Sequence, residues 1–269
     1  MTGRAPRRVH RGFVPLLLAA AAASAGCFAD IFGSDHSPAT AEERFEHGIE
    51  LAGEGRVVVS GKSGDITVRG VPGSDSVVIR SVLRVTADNP DDAEAGLAEF
   101  WVDVDLSASQ IIVQTAQPST LDTREFVADY EISVPLLMNL TIANVVGDIT
   151  VSDVGGTVSI VSGSGNVWLI DTFGDSRVDI GNGSVDARVT MYLGATLFIT
   201  TGNGNIDLDV PIWTSAHILA TAANGMVSVS NLDIDYQFRA DNALVGTLRE
   251  GIGSIRLASG NGSVSLLGY

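Results

Sequence analysis

From residue 56 onward, apolar and polar residues alternate with a period of two, in short runs separated by Gly- and Asn-rich punctuation. In Asn205-Ile206-Asp207-Leu208-Asp209-Val210 every second side chain is apolar, which gives a strand one dry face and one face of carboxylates. The alternation recurs at Val158/Ile160, Val178/Ile180, Val185/Ala187/Val189, Leu197/Ile199, Val227/Val229 and Val264/Leu266. Before many of these runs stands a Gly, followed by one polar residue in every case but Gly225, which precedes Met226: Gly64, Gly147, Gly165, Gly183, Gly204, Gly225 and Gly262. The central five are spaced 18, 18, 21 and 21 residues apart, and Gly156, Gly174, Gly194 and Gly253 mark half-steps. Each unit is a strand plus a turn, and since one strand cannot bury its apolar face alone, the units are expected to stack. The Asn-Gly pairs ending at Gly183, Gly204, Gly225 and Gly262 predict tight turns with positive φ angles.

Between residues 56 and 140 the runs are longer, and strands are predicted at 56–60, 65–69, 76–86, 100–106, 110–115 and 126–134, with Pro135 ending the last. One helix is predicted from Pro90 to Ala98, because Asn89 suits the cap, Pro90 the first position, and Asp91, Asp92 and Glu94 the positive helix end. The expectation is an all-β protein: an N-terminal section of mostly antiparallel hairpins with one short helix (56–140), passing into a β-solenoid-like stack (141–269), the two forming one continuous domain. Short, regularly spaced strands also permit a large β-sandwich.

The first 26 residues break this pattern. Arg4, Arg7, Arg8 and Arg11 precede an apolar run from Phe13 to Ala25, the layout of a secretory signal and too short to span a bilayer as a helix. Ala23 and Ala25 fit ordinary cleavage before Gly26, whereas Ser24-Ala25-Gly26-Cys27 resembles the bacterial lipobox, with Ser24 where Leu is usual. Cys27, the only Cys in the chain, is therefore the candidate lipidation site, and secretion as a soluble protein is the alternative. Residues 27–55 show no sustained periodicity and are read as a flexible tether with a short helical turn around Glu42 to His47.

The formal net charge is −16, from 16 basic and 32 acidic residues in 269. Removal of the signal takes four Arg and no acidic residue, leaving −20. Such a charge excludes nucleic acid as a partner. Of the four His, only His217 falls in the predicted domain, and no G-x-S-x-G elbow accompanies it, so it is read as a strand or turn residue. Lys62 sits in a Gly-rich turn that lacks phosphate-loop spacing. No cofactor is expected.

Carboxylates are the stronger candidates. Asp103 and Asp105 share one strand face, as do Asp207 and Asp209, and either pair suits calcium or glycosidase-type acid-base chemistry. The plainer reading, a solvated face that discourages edge pairing, is preferred. Asp207 is one residue out of phase with the calcium-roll pattern, so Asp207 and Asp209 are only weak metal candidates. Trp168 and Phe198 stand on the face opposite their apolar neighbours; the balance favours burial under another layer, and if that face is bare they form a candidate binding surface.

The order of segments, with "GDITV" at 64–68, the helical insert, "YEISVP" at 130–135, a second "GDITV" at 147–151 and "TGNGNIDLDVP" at 201–211, resembles the bacterial putative-adhesin family over residues 56–269. That resemblance implies a β-strand-repeat fold at the cell surface or in the periplasm. The leading expectation is a non-enzymatic cell-envelope protein with an adhesin-like or structural role, anchored to the membrane through its N-terminal lipid and meeting a glycan or an envelope protein. The alternative is a polysaccharide lyase or hydrolase on a β-solenoid, using Asp207 and Asp209 with Arg177, Arg188 or Arg256 in one groove.

Overall fold

The structure is a computed structural model, and it describes residues 38–50, 55–107, 110–119 and 123–269. The signal and the lipidation candidate Cys27 lie outside the described residues.

Strands occur in pairs, each pair forming one rung of a stack. The rungs are β2 (Arg56–Ser60) with β3 (Ile66–Val71), β6 (Gln110–Ala116) with β7 (Glu125–Pro135), and β8 (Asn139–Val146) with β9 (Ile149–Ser152). They continue with β10 (Val158–Ser164) and β11 (Val167–Thr172), β12 (Ser176–Asn182) and β13 (Val185–Val189), and β14 (Thr196–Asn203) and β15 (Ile206–Val210). The last two are β16 (Ala216–Asn224) with β17 (Val227–Ser230), and β20 (Gly253–Asn261) with β21 (Val264–Gly268). Flanking them are β1 (Ala39–Glu50), β4 (Ser76–Ala87), α1 (Pro90–Ala98), β5 (Trp101–Leu106), β18 (Ile234–Ala240) and β19 (Ala243–Leu248).

One member of each rung joins a first sheet, ordered β1-β4-β7-β3-β9-β11-β13-β15-β21-β17, and the other a second sheet, ordered β18-β19-β16-β20-β14-β12-β10-β8-β2-β6-β5. The two sheets enclose one continuous apolar cluster, so the alternation in sequence becomes an inward row per strand, such as Leu197 and Ile199 on β14 and Ile206, Leu208 and Val210 on β15. Burying each of these side chains contributes about 1.5–3 kcal/mol. The protein is thus an all-β stack whose two faces are large mixed sheets.

Rung order departs from chain order at both ends. The final rung, β20/β21, lies between β14/β15 and β16/β17, and the first, β2/β3, lies between β8/β9 and β6/β7. Hence β2, β3, β6 and β7 pair in parallel with the stack, and antiparallel pairing is confined to β1/β4, β4/β7, β5/β6, β16/β19 and β18/β19. The expected hairpin section is therefore smaller than its sequence suggests: a period-two pattern looks the same in parallel and antiparallel pairing.

Helix α1 spans the predicted residues, with the Asn89 side chain accepting from the Asp92 amide at 2.9 Å. Residues 39–50, assigned above to the tether with a helical turn, instead form β1, which pairs with β4 along its whole length. Its sequence carries little apolar signal because it is an edge strand with many exposed positions; the β4 backbone dictates its conformation.

The seven turn glycines line up rung over rung. At Gly204 a Cβ would stand 2.0 Å from the Gly183 carbonyl oxygen, and its φ of +148° suits Gly alone. Gly225 shares the close approach, 2.1 Å from the Gly262 oxygen, but not the expected positive φ. The paired Asn residues do not take left-handed conformations either. They form a side-chain ladder: Asn203 donates to Asn182 at 2.7 Å, Asn261 to Asn203 at 2.6 Å, and Asn224 to Asn261 at 2.9 Å. The polar residues after six of these Gly build a second ladder that starts at Asp129 of β7 and ends on the Met226 amide, each side chain accepting from the backbone N–H of the next rung in the order Asp129, Asp65, Asp148, Asn166, Ser184, Asn205, Ser263.

Candidate functional sites on the two sheet faces

Each outward row is set by strand register, so residues far apart in sequence become neighbours. On the first sheet, Asp186 of β13 is opposite Asp207 of β15, and Arg188 is opposite Asp209. From β9 to β17 the outward ionisable residues of these strands are Asp171, Asp186, Asp207, Asp209 and Arg188. The Asp207 carboxyl is pushed above the usual carboxylate range, first by partial desolvation and then by the neighbouring charges of Asp186 and Asp209. Arg188 reaches Asp171 at 3.5 Å and stacks over the Tyr269 ring at 4.3 Å. One Arg and four carboxylates therefore do meet, but on the open side of a sheet. Ile206, the residue in calcium-roll phase, is buried, while Asp207 faces outward.

The second sheet carries the opposite charge balance from β10 to β19, whereas its outer strands β5 and β18 add Asp103, Asp105 and Asp235. Its outward register aligns Arg177 of β12, Phe198 of β14, Arg256 of β20, Leu219 of β16, Val245 of β19 and Phe238 of β18. The Arg177 guanidinium lies over the Phe198 ring at 4.3 Å, and that of Arg256 is 5.9 Å from the same centroid. Arg177 also bonds Asp179 at 2.6 Å, and Thr200 donates to the same carboxylate. Across the strands from β10 to β19, the outward ionisable residues are Arg177, Arg256, His217 and a single carboxylate, Asp179. A shallow depression of about 460 Å³ runs beside the Arg–Phe row, lined by Thr200, Gly202, Thr221, Ala243, Ala258 and Gly260.

Alternation favours burial of Trp168 and Phe198 under another layer, yet both point outward and are half-buried. They occupy different sheets and so do not form one surface. Trp168 lies between Thr150 and Asp186. Asp103 and Asp105 stand on edge strand β5 of the second sheet, remote in strand order from β20 and β14. His217 is bonded through Nδ1 to the Thr247 hydroxyl at 3.1 Å, and Lys62 is an exposed bend residue. The pairing of Arg177 and Arg256 about one ring was invisible to sequence reasoning, because they are brought together by registers that skip 21 and 58 residues.

No family model and no curated protein sequence matches the chain. Among solved structures, a putative cell adhesion protein from Clostridium sporogenes is similar over 85% of this chain and 100% of its own, with a TM-score of 0.50 and 12% identity. A putative adhesin from Bacteroides fragilis is similar over 83% of this chain and 97% of its own, with a TM-score of 0.31 and 12% identity. The first of these shows a shared fold.

Proposed function

We propose that the chain is a non-enzymatic, adhesin-like protein of the cell envelope that works by binding through its flat sheet faces, and that it is exported and held to the membrane by lipid on Cys27. The observation that carries this reading is the segregation of charge between two open, register-locked faces: Asp186, Asp207 and Asp209 on one, Arg177 and Arg256 on the other. Flat arrays of this kind suit distributed recognition. The fold shared with the Clostridium sporogenes protein, itself described as a putative cell adhesion protein, agrees with it, as does the order of sequence segments that resembles the putative-adhesin family.

The polysaccharide-cleaving alternative draws on the meeting of Asp207 and Asp209 with Arg188. A glycosidase needs its carboxylates to flank a bound chain with water controlled between them, which calls for a groove. These groups stand on the open side of a sheet.

The test is a glycan and envelope-protein binding screen with the full chain, run alongside product-release assays on the same polysaccharides. Binding without release is expected; release that Asp207→Asn with Asp209→Asn abolishes would overturn the non-enzymatic reading. Metabolic labelling with a lipid analogue, comparing wild type with Cys27→Ala, tests the anchor, and an unlabelled wild type removes it.

A further inference from the structure

The row Arg177, Phe198, Arg256 carries a more specific reading. We propose that it is the binding site for a linear, carboxylate-bearing polysaccharide lying across the strands of the second sheet, with Arg177 and Arg256 contacting the carboxylates and Phe198 positioning both. This rests on the non-enzymatic binding function proposed above.

In a chain of net charge −16, an anionic ligand is repelled by most of the surface. The outward side of β10 to β19 departs from this, with Arg177 and Arg256 against the single carboxylate Asp179. Arg177 shares its charge with Asp179, but among the described residues no carboxylate pairs with Arg256. Both guanidinia are drawn to one ring, which reduces the rotamer freedom that two long exposed side chains would lose on binding. Because Arg177 covers the Phe198 ring, Phe198 acts as a clamp for the cations, and a sugar does not stack on it.

Geometry favours a polymer. Arg177 and Arg256 stand on strands separated by β14, so their backbones are two strand spacings, about 10 Å, apart in the direction that crosses the strands. The depression lined by Thr200, Thr221 and Ala258 runs in the same direction and offers hydroxyls within a floor of small residues. An extended acidic peptide is the weaker fit, since peptides add to sheets at strand edges through backbone pairing, and β12, β14 and β20 are each paired on both sides.

The experiment measures binding of the full chain to immobilised polygalacturonate and to the same polymer after methyl esterification, which removes its charge. Binding to the free acid, at least about tenfold tighter than to the ester and weakened by salt, is expected. Arg177→Ser with Arg256→Ser should lower affinity about tenfold or more, and Phe198→Leu should lower it while both Arg remain. Asp179→Asn should raise it by freeing Arg177. Glu94→Gln, an exposed position on helix α1 outside both sheets, should leave it unchanged. Urea midpoints close to wild type establish that each variant is folded.

Failure of wild type to bind the free acid, equal binding to the ester, or full binding by the double Arg variant overturns the site. If the Arg substitutions instead abolish self-association measured by sedimentation, the occupant is the acidic face of a second copy, and the polysaccharide assignment is wrong. Binding to another glycan or envelope protein that survives the Arg substitutions leaves the general function standing and removes only this site.

Discussion

Replacing Gly204 by Ala tests whether the stacked turn glycines hold the rungs together. The added methyl would lie 2.0 Å from the Gly183 oxygen and 2.5 Å from its carbonyl carbon, both backbone atoms of the adjacent rung. That backbone cannot retreat freely, because the Gly183 N–H bonds the Asn203 oxygen at 2.8 Å and the Gly204 N–H bonds the Asn261 oxygen at 2.8 Å. A side chain at a φ of +148° costs about 1–3 kcal/mol. Forcing a methyl into filled space costs about another 1–3 kcal/mol. Gly194 supplies the control: its φ is +85°, but a Cβ there would meet nothing within 4 Å, so Gly194→Ala carries only the conformational cost. Urea denaturation followed by circular dichroism should show Gly204→Ala less stable than Gly194→Ala by about 1–3 kcal/mol. Equal losses in the two variants would refute the claim that close rung-to-rung approach fixes glycine at these turns.

Deleting residues 253–269 should unprotect 216–248 in hydrogen exchange as well, because β16 and β17 reach the stack only through β20 and β21; protection of 216–248 in the truncated chain would contradict the inserted rung order. Asp207→Asn should stabilise the protein at neutral pH. Its carboxyl has a folded-state pKa raised by desolvation, Asp186 and Asp209, so the charged form costs stability above that pKa, and the advantage of Asn should fade as protonation relieves the cost in acid. Urea midpoints across the acid range check this, and an advantage independent of pH would disprove it. Tyr130, pushed up to about 12 mainly by burial, bonds the Thr115 hydroxyl at 2.8 Å. Tyr130→Phe should cost about 1 kcal/mol. In the parent the preference for neutral Tyr130 is fully present below pH 10 and is lost as pH rises toward about 12, so alkaline destabilisation should be shallower in the Phe variant.

Much of the fold was legible because its signals are local. Asn89 and Pro90 marked the start of α1, and the alternation in 206–210 marked both the buried and the outward residues of β15. The polar residue after most of the turn glycines was visible as a motif, but its work, accepting the next rung's N–H, depends on a neighbour 18 or more residues away. Strand β1 had only a short apolar stripe, Phe45 and Ile49, to betray it, and its partner β4 supplies the pairing. Of the candidate sites, the outward placement of Asp207 and Asp209 followed from phase alone, whereas their meeting with Asp186 and Arg188 required the β13–β15 register.

The sequence by itself determined that this chain is a stack of short strands with one dry face per strand, because side-chain alternation and glycine turns are properties of consecutive residues. Tertiary structure alone decided that the last rung slots inside the one before it, that β2 and β3 belong to the parallel stack, and that Arg177, Phe198 and Arg256 share one row. Strand pairing is a contact between segments distant along the chain, and its register sets which outward side chains become neighbours.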